Sequence, residues 1–265
     1  MSKAIYQPSG RAREYALWAC NLHVGCSNDC DYCYCKRGAL GTVMGKPQAS
    51  LKSCFKAHDG TTAEEDAFLT FQKELMRYRD RIIAEGGLFF SFSTDPCLPE
   101  TINLTLMCVA LATGAEVPCR ILTKCAGWIL EKGDEWDFMK QIRNLVTVGF
   151  TLTGCDGKER GASPNTDRIA ALKQLSEAGV KTFASVEPVI DFDRAEEVVR
   201  LSAPWCDEYR FGLLSGDRSA YEGIDLAERI RRFIETVPGL VRPGTTVFWK
   251  KSVRDVLAKN PSIEK

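Results

Sequence analysis

The feature that most constrains the fold is a regular alternation of strand-type and helix-type segments. Short apolar runs alternate with longer stretches whose apolar residues recur at helical spacing. Strands are predicted at 88–94, 119–123, 146–153, 181–186, 209–214 and 245–249, after an extended segment at 14–23, and helices at 61–85, 100–113, 127–144, 166–178, 195–201, 220–236 and 251–258. Such alternation is typical of βαβ units, whose strands form a parallel sheet.

The number of units predicts the architecture. Six strand–helix units precede residue 236, which favours an α/β fold with a partial (β/α)6 TIM-type barrel of parallel strands. A chain of 265 residues with 45% hydrophobic content fits one domain, with a barrel core at about 14–236 and a short C-terminal extension at 237–265. We expect the extension to cover the side or bottom of the barrel. The long irregular loop at 36–60 is either a functional lid or a variable surface excursion.

Charge and cysteine content narrow the functional classes. Lys plus Arg equals Asp plus Glu at 35 each, so no global field draws the chain to nucleic acid or to a membrane. The amino terminus lacks the apolar core of a signal peptide, and no apolar run is long enough for a membrane span. We therefore expect a cytoplasmic protein without membrane contact. In that compartment the 12 cysteines should remain thiols.

Three cysteines form a compact group. Cys26, Cys30 and Cys33 have the spacing Cys-x3-Cys-x2-Cys and no obvious fourth ligand. A structural zinc ion takes four ligands, and a protein-held [4Fe–4S] cluster usually takes four cysteines. Three thiolates on a four-iron cluster leave one iron open to another molecule. The alternative is a zinc site with its fourth ligand drawn from Cys20, His23 or Cys35.

This spacing, with Tyr32 directly before the last cysteine, resembles the radical S-adenosylmethionine (radical SAM) enzymes. The resemblance implies a [4Fe–4S] cluster on the three cysteines, whose open iron binds the amino and carboxylate groups of S-adenosylmethionine. It implies a reduced flavodoxin- or ferredoxin-type protein as electron donor. It also implies a reaction in which a 5′-deoxyadenosyl radical abstracts hydrogen from a substrate.

Polar residues end the predicted strands. They form the strings Ser-Phe-Ser-Thr-Asp-Pro-Cys (91–97), Thr-Lys-Cys (123–125), Thr-Leu-Thr-Gly (151–154), Ser-Val-Glu-Pro (185–188) and Leu-Ser-Gly (214–216). The carboxyl ends of parallel barrel strands meet at one rim, where active sites are built. Hydroxyl, carboxylate and ammonium groups together suit a zwitterionic ligand such as S-adenosylmethionine.

The cysteine string, Ser-Thr-Asp-Pro, Leu-Thr-Lys, Phe-Thr-Leu-Thr and Glu-Pro-Val-Ile together resemble the spore photoproduct lyase-like branch over about residues 18–200. The resemblance implies that Tyr32 lies against adenine and that Ser93 or Asp95 receives the methionine ammonium. It implies that Lys124 and Thr151 bind the methionine carboxylate. Glu187 is a further candidate for the cofactor site.

The chain departs from the lyase at one point. The lyase has a hydrogen-donating cysteine shortly before its Thr/Ser-Asp string, whereas this chain has Ser91-Phe92-Ser93, so thymine-dimer repair does not carry over. Cys97, just after the same strand, is a candidate substitute donor, and an unreactive packing cysteine is the alternative.

Three functional hypotheses stay open. The substrate is a nucleic-acid base or nucleotide, or it is a small metabolite or peptide, or the chain is a non-enzymatic zinc-binding module. Candidates for the substrate side of the site are Glu187, Asp156, Arg160, Arg168 and Arg218.

Overall fold

The computed structural model describes residues 4–37, 41–58, 60–216 and 218–260, and it shows the predicted α/β architecture. The strands of these residues are β1 (Ile5–Tyr6), β2 (Trp18–Cys20), β3 (His23–Val24), β4 (Ser50–Leu51), β5 (Leu88–Phe90), β6 (Cys119–Thr123), β7 (Val146–Thr151), β8 (Lys181–Val189), β9 (Glu208–Leu213) and β10 (Thr246–Trp249). The helices are α1 (Gly41–Met44), α2 (Ala63–Ala84), α3 (Ile102–Gly114), α4 (Gly127–Leu130), α5 (Asp134–Gln141), α6 (Asn165–Glu177), α7 (Phe192–Ser202), α8 (Leu226–Leu240) and α9 (Lys251–Lys259).

The main sheet has eight strands in the order β1-β2-β5-β6-β7-β8-β9-β10. β1 pairs antiparallel with β2, and every later pairing in this sheet is parallel. In the described residues β1 and β10 are the two edges, so the sheet is an open, partial barrel of the TIM type. β3 and β4 form a separate two-stranded sheet. The predicted fold class is therefore confirmed.

Local sequence signals explain where several elements begin and end. α2 begins with a capping box, because the Thr62 hydroxyl accepts the Glu65 N–H at 3.1 Å and the Glu65 carboxylate accepts the Thr62 N–H at 2.6 Å. Its Phe71 and Leu75 are fully buried. The single helix predicted at 127–144 is instead two helices, α4 and α5. The break falls at Lys132, which has a φ of 54°, and at the following Gly133, which caps α5.

The C-terminal extension differs from the prediction. β10 lies parallel beside β9, with Trp249 opposite Phe211, and therefore adds a strand to the sheet. The rings of these two residues stack with centroids 4.6 Å apart. β10 therefore ends at the same rim as the other parallel strands, and Lys250 follows it directly. Residues 261–265 of the predicted extension lie outside the described residues.

The long loop contains two short elements. α1 lies within it, and β4 pairs with β3 just before the cysteines. Residues 38–40 and 59 of the loop lie outside the described residues, and the lid hypothesis stays a prediction. Among the described helices, none combines the length and the apolar character that a membrane span requires.

Candidate functional site

One cavity of about 470 Å³ lies at the carboxyl ends of the parallel strands. Nearly all of the predicted site residues line its wall: Cys26, Cys30, Cys33, Tyr32, Ser93, Asp95, Lys124, Thr151 and Glu187. They come from the cysteine loop and from the ends of β5, β6, β7 and β8. The parallel sheet thus brings together side chains that are far apart in sequence, as expected for the carboxyl rim of a barrel.

The cysteine loop is fastened to the segment that follows β7. Cys30 forms an isolated backbone bridge with Glu159. The Asp31 N–H donates to the Lys158 carbonyl at 2.9 Å. Arg160 adds ion pairs to Asp29 and Asp31 on the exposed side. This segment, residues 156–163, is therefore a platform for the three cysteines.

Gly161 explains how closely the two segments approach. Its N–H donates to the Asn28 carbonyl at 3.0 Å. A Cβ at this position would lie 2.0 Å from the Ser27 carbonyl oxygen, which is far inside van der Waals contact. Only glycine allows the cysteine loop to lie against the platform at this distance.

The three thiols differ in acidity. Burial raises the pKa of Cys26 to about 12 and also raises the pKa of Cys30. A hydrogen bond from Cys35 lowers the pKa of Cys33. Since thiolates are the form that binds metal, loading of the site must displace protons from Cys26 and Cys30.

The donor geometry bears on the choice between zinc and a cluster. Zinc bonds to sulfur are about 2.3 Å long, so tetrahedral zinc ligands converge on one point. Among the described residues, no group of three His, Cys, Asp or Glu side chains is placed to hold one metal ion. Of the candidate fourth ligands, Cys35 lines the cavity, whereas Cys20 and His23 are buried outside its wall. In an iron–sulfur cluster each cysteine binds a different iron, so convergence on one point is not required.

Asp95 organises the middle of the site. Its carboxylate accepts hydrogen bonds from the Asn28 amide at 2.7 Å, the Thr123 hydroxyl at 2.6 Å and two backbone N–H groups, of Lys124 at 2.7 Å and Cys97 at 3.0 Å. A carboxylate has about four lone-pair sites, so its acceptor capacity is used within the chain. Asp95 therefore ties the cysteine loop to the ends of β5 and β6.

Tyr32 is held from behind by a buried ion pair. Its hydroxyl donates to Glu159, and burial together with the charge of Glu159 raises the pKa of Tyr32 well above its usual value. Glu159 also accepts the Thr153 hydroxyl at 3.1 Å and pairs with Arg168 at 2.8 Å. Both side chains of the ion pair are 0% exposed. The ring orientation of Tyr32 is thus fixed by groups outside the cavity.

The predicted carboxylate-binding residues lie beside Tyr32. The Lys124 ammonium is 5.7 Å from the Tyr32 ring centroid. Burial lowers the pKa of Lys124, but Cys30 and Glu159 raise it, and the net shift is upward. Thr151 is buried in the same wall. The Ser93 hydroxyl donates to the His23 carbonyl at 2.5 Å, which leaves its lone pairs as acceptors.

A second polar cluster lines the cavity, and sequence reasoning found only Glu187 and Ser185 of it. The Glu187 carboxylate accepts hydrogen bonds from the Tyr15 hydroxyl at 2.6 Å and from the Lys250 ammonium at 2.6 Å. Tyr15 precedes β2, and Lys250 follows β10. Lys250 had the same signal as the predicted residues, a polar side chain directly after an apolar strand. Tyr15 had no such signal, because it lies before β2 and not after the end of a strand.

Other candidates lie away from the cavity. Cys97 is buried in the hydrophobic core and is not among the residues that line the wall. Asp156 accepts the Asn165 N–H at 2.8 Å. Arg160 and Arg168 make the ion pairs described above, and Arg218 does not line the wall. The structure therefore does not bring Cys97 or these four residues to the site.

Comparison with known proteins finds similarity at the level of the fold. No protein-family profile matches the sequence, and no curated protein matches it. The structure is similar to a radical SAM methyltransferase from Sphaerobacter thermophilus, with a TM-score of 0.54 and 16% identity, over 89% of this chain and 67% of that one. This similarity shows a shared fold with a radical SAM enzyme.

A second similar structure is SuiB of Streptococcus suis bound to S-adenosylmethionine, with a TM-score of 0.49 and 16% identity over 73% of this chain. SuiB bound to its precursor peptide SuiA gives a TM-score of 0.48 with 15% identity, over 71% of this chain and 44% of that one. This chain matches 46% of SuiB in the first of these structures, so it spans about half of SuiB's length.

Proposed function

We propose that this protein is a radical SAM enzyme, in which Cys26, Cys30 and Cys33 hold a [4Fe–4S] cluster with one open iron. The bound cluster would reductively cleave S-adenosylmethionine to a 5′-deoxyadenosyl radical that abstracts hydrogen from the substrate. The observation that carries the proposal is that the three cysteines line one cavity together with the polar ends of the parallel strands.

The chain's own residues would orient S-adenosylmethionine in three ways. Lys124 supplies a charged donor, and Thr151 a hydroxyl donor, for the methionine carboxylate. Ser93 supplies lone pairs for the methionine ammonium, whereas the acceptor capacity of Asp95 is used by four donors of the chain. Tyr32, held by Glu159, supplies a ring face for adenine.

The electron would come from a flavodoxin- or ferredoxin-type partner. Assignment to the spore photoproduct lyase-like branch stays a prediction, as do the substrate hypotheses of a nucleic-acid base or nucleotide and of a small metabolite or peptide. Cys97 as hydrogen donor would need a path from the core to the cavity. The single-domain boundaries and a cytoplasmic location are also proposals.

Anaerobic reconstitution with iron and sulfide tests the proposal. We expect close to four irons and four sulfides per chain, as a [4Fe–4S] cluster requires, and 5′-deoxyadenosine after dithionite reduction with S-adenosylmethionine. Addition of S-adenosylmethionine should also change the electron paramagnetic resonance spectrum of the reduced cluster. A colourless protein with one tightly bound zinc ion would refute the proposal.

A further inference from the structure

The cluster formed by Tyr15, Ser185, Glu187 and Lys250 has no part in the cofactor contacts proposed above. The Lys250 side chain is 3% exposed, and its ammonium lies 3.9 Å from the centroid of the Tyr15 ring. Taking two charges out of water costs several kcal/mol per ion, which their attraction offsets only with good geometry. An ion pair with a buried ammonium and a partly buried carboxylate, on a cavity wall at the carboxyl ends of barrel strands, is therefore a candidate functional site.

The direction of the hydrogen bonds follows from the donors available. A carboxylate only accepts, so Tyr15 donates its single proton to Glu187. The oxygens of Tyr15 and Ser185 are 2.6 Å apart, and Ser185 must therefore donate to Tyr15. Burial and the charge of Glu187 both raise the pKa of Tyr15, which keeps this proton in place. Tyr15 and Lys250 thus donate to the Glu187 carboxylate, and Ser185 donates to Tyr15.

Gly212 in β9 makes room for this carboxylate. A Cβ at Gly212 would lie 2.5 Å from the Oε1 atom of Glu187 and 2.7 Å from its Cδ atom. The backbone at Gly212 is not in the left-handed region, so its glycine serves for space and not for conformation. Three strands therefore determine the position of the Glu187 carboxylate: Glu187 lies in β8, Gly212 lies in β9, and Lys250 follows β10.

The hydrogen bonds within the cluster leave the Glu187 Oε1 atom as an acceptor for a ligand, and N–H groups of Lys250 as donors. Both hydrogen bonds to Glu187 use Oε2, and Oε1 accepts no hydrogen bond from the residues that the structure describes. Lys250 has three N–H donors, and its ammonium makes one hydrogen bond in the described part of the chain. Glu187 and Lys250 together carry no net charge, so a charged ligand would have to compete with one of these two side chains for the other.

From these contacts, and on the basis of the proposed radical SAM function, we infer that Glu187, Lys250 and Tyr15 form the substrate-binding part of the cavity and bind an amide group. An amide carries a donor and an acceptor on separate atoms, which matches the Glu187 Oε1 atom and the free N–H groups of Lys250. Rings of Tyr15 and Phe92 line the same cavity and supply apolar contact for the carbon skeleton of the substrate.

Small probes of similar size test the inference by ligand-observed NMR on the anaerobic protein with cluster and S-adenosylmethionine. N-methylacetamide and 2-pyrrolidinone represent open-chain and cyclic amides, and acetate, ethylammonium and ethylene glycol represent other chemistries. We expect at least one amide to bind tenfold more tightly than the other three probes. The preferred amide then indicates whether the substrate group is peptide-like or part of a ring.

Variants locate the binding. Glu187→Gln removes the charge, and Gly212→Ala displaces the carboxylate without removing it. Both should weaken amide binding about tenfold and leave the affinity for S-adenosylmethionine within twofold. Glu196→Gln, at a partly buried ion pair with Arg229 outside the cavity wall, is the matched control and should change neither. If either site variant fails to fold, Tyr15→Phe removes a single donor to Glu187 and should weaken amide binding about threefold.

Two results would overturn the inference. One is that acetate or ethylene glycol binds as tightly as the amides. The other is that Glu187→Gln lowers the affinity for S-adenosylmethionine tenfold, which would assign the pair to the cofactor. The probes are also tested on iron-free protein, because the contacts of Glu187 do not include the cysteines. Loss of the proposed function would then appear as a missing cluster, independently of amide binding.

Discussion

Replacement of Arg168 by methionine should destabilise the protein strongly. Arg168 pairs with Glu159 at 2.8 Å, and it donates to the backbone carbonyls of Thr151 at 2.8 Å and Ser163 at 2.7 Å. Methionine fills much of the same volume but removes the ion-pair partner of the buried Glu159 carboxylate. Breaking a buried pair in this way costs about 3–5 kcal/mol. That loss is a large part of the roughly 5–15 kcal/mol by which a domain is stable.

A double-mutant cycle isolates the ion pair from the other contacts. Arg168→Met and Glu159→Leu each leave one uncompensated charge, whereas the double variant leaves none. Replacing a buried pair with apolar residues is often nearly neutral, so the double variant should be more stable than either single variant. We therefore expect a coupling energy of about 2 kcal/mol or more. Urea unfolding of the iron-free, reduced protein gives the four free energies of unfolding.

The same cycle separates stability from function. The double variant has no carboxylate for the Tyr32 hydroxyl, so it should fold and yet bind S-adenosylmethionine less tightly than the unchanged protein. A loss below about 1 kcal/mol in Arg168→Met, or a coupling energy near zero, would contradict the reasoning, because values of that size are typical of exposed pairs.

Three further predictions concern a cap, a carboxylate and the cysteines. Thr62→Ala removes the N-cap of α2 and should lower the free energy of unfolding by about 1 kcal/mol in urea titrations. Glu208 is partly buried, which raises its pKa, but Arg120 and Arg210 lower it to about 2, against an ordinary value of 4.5. A depressed carboxyl pKa stabilises the fold above pH 4.5, and this stability is lost as the pH falls towards 2. Urea unfolding across this window should show the advantage of the unchanged protein over Glu208→Gln shrinking by about 3 kcal/mol. Cys30→Ala should abolish the iron content after reconstitution, and Cys97→Ala should leave it unchanged, by colorimetric iron assay.

The elements that sequence predicted well are those with strong local signals. The predicted helix at 61–85 differs from α2 by two residues or fewer at either end, and the five residues of β6 were predicted without error. The helix at 127–144 was predicted as one element because its apolar spacing continues across Gly133. Its interruption depends on Lys132 in a left-handed conformation, which side-chain periodicity does not report.

The candidate site was predictable where strand ends carry polar residues. Placement of all parallel strand ends at one rim was enough to bring Asp95, Lys124 and Glu187 together, whereas Tyr32 was predicted from the family resemblance. The role of Asp95 as an acceptor for four internal donors could not be predicted, because it depends on the turns that follow β5 and β6. Arg168 was a candidate for the substrate side, and the path of the segment after β7 places it instead in a buried salt bridge with Glu159.

The contact between the two ends of the described chain has a consequence for biosynthesis. The Glu14 carboxylate accepts the Lys251 N–H at 2.7 Å, across 237 positions of sequence. The ribosome therefore completes the cysteine loop early, but the opposite wall of the cavity only when Lys250 emerges from the exit tunnel. Pairing between such distant segments is slow. A nascent chain thus exposes the thiols of this loop before the opposite wall of the cavity has formed.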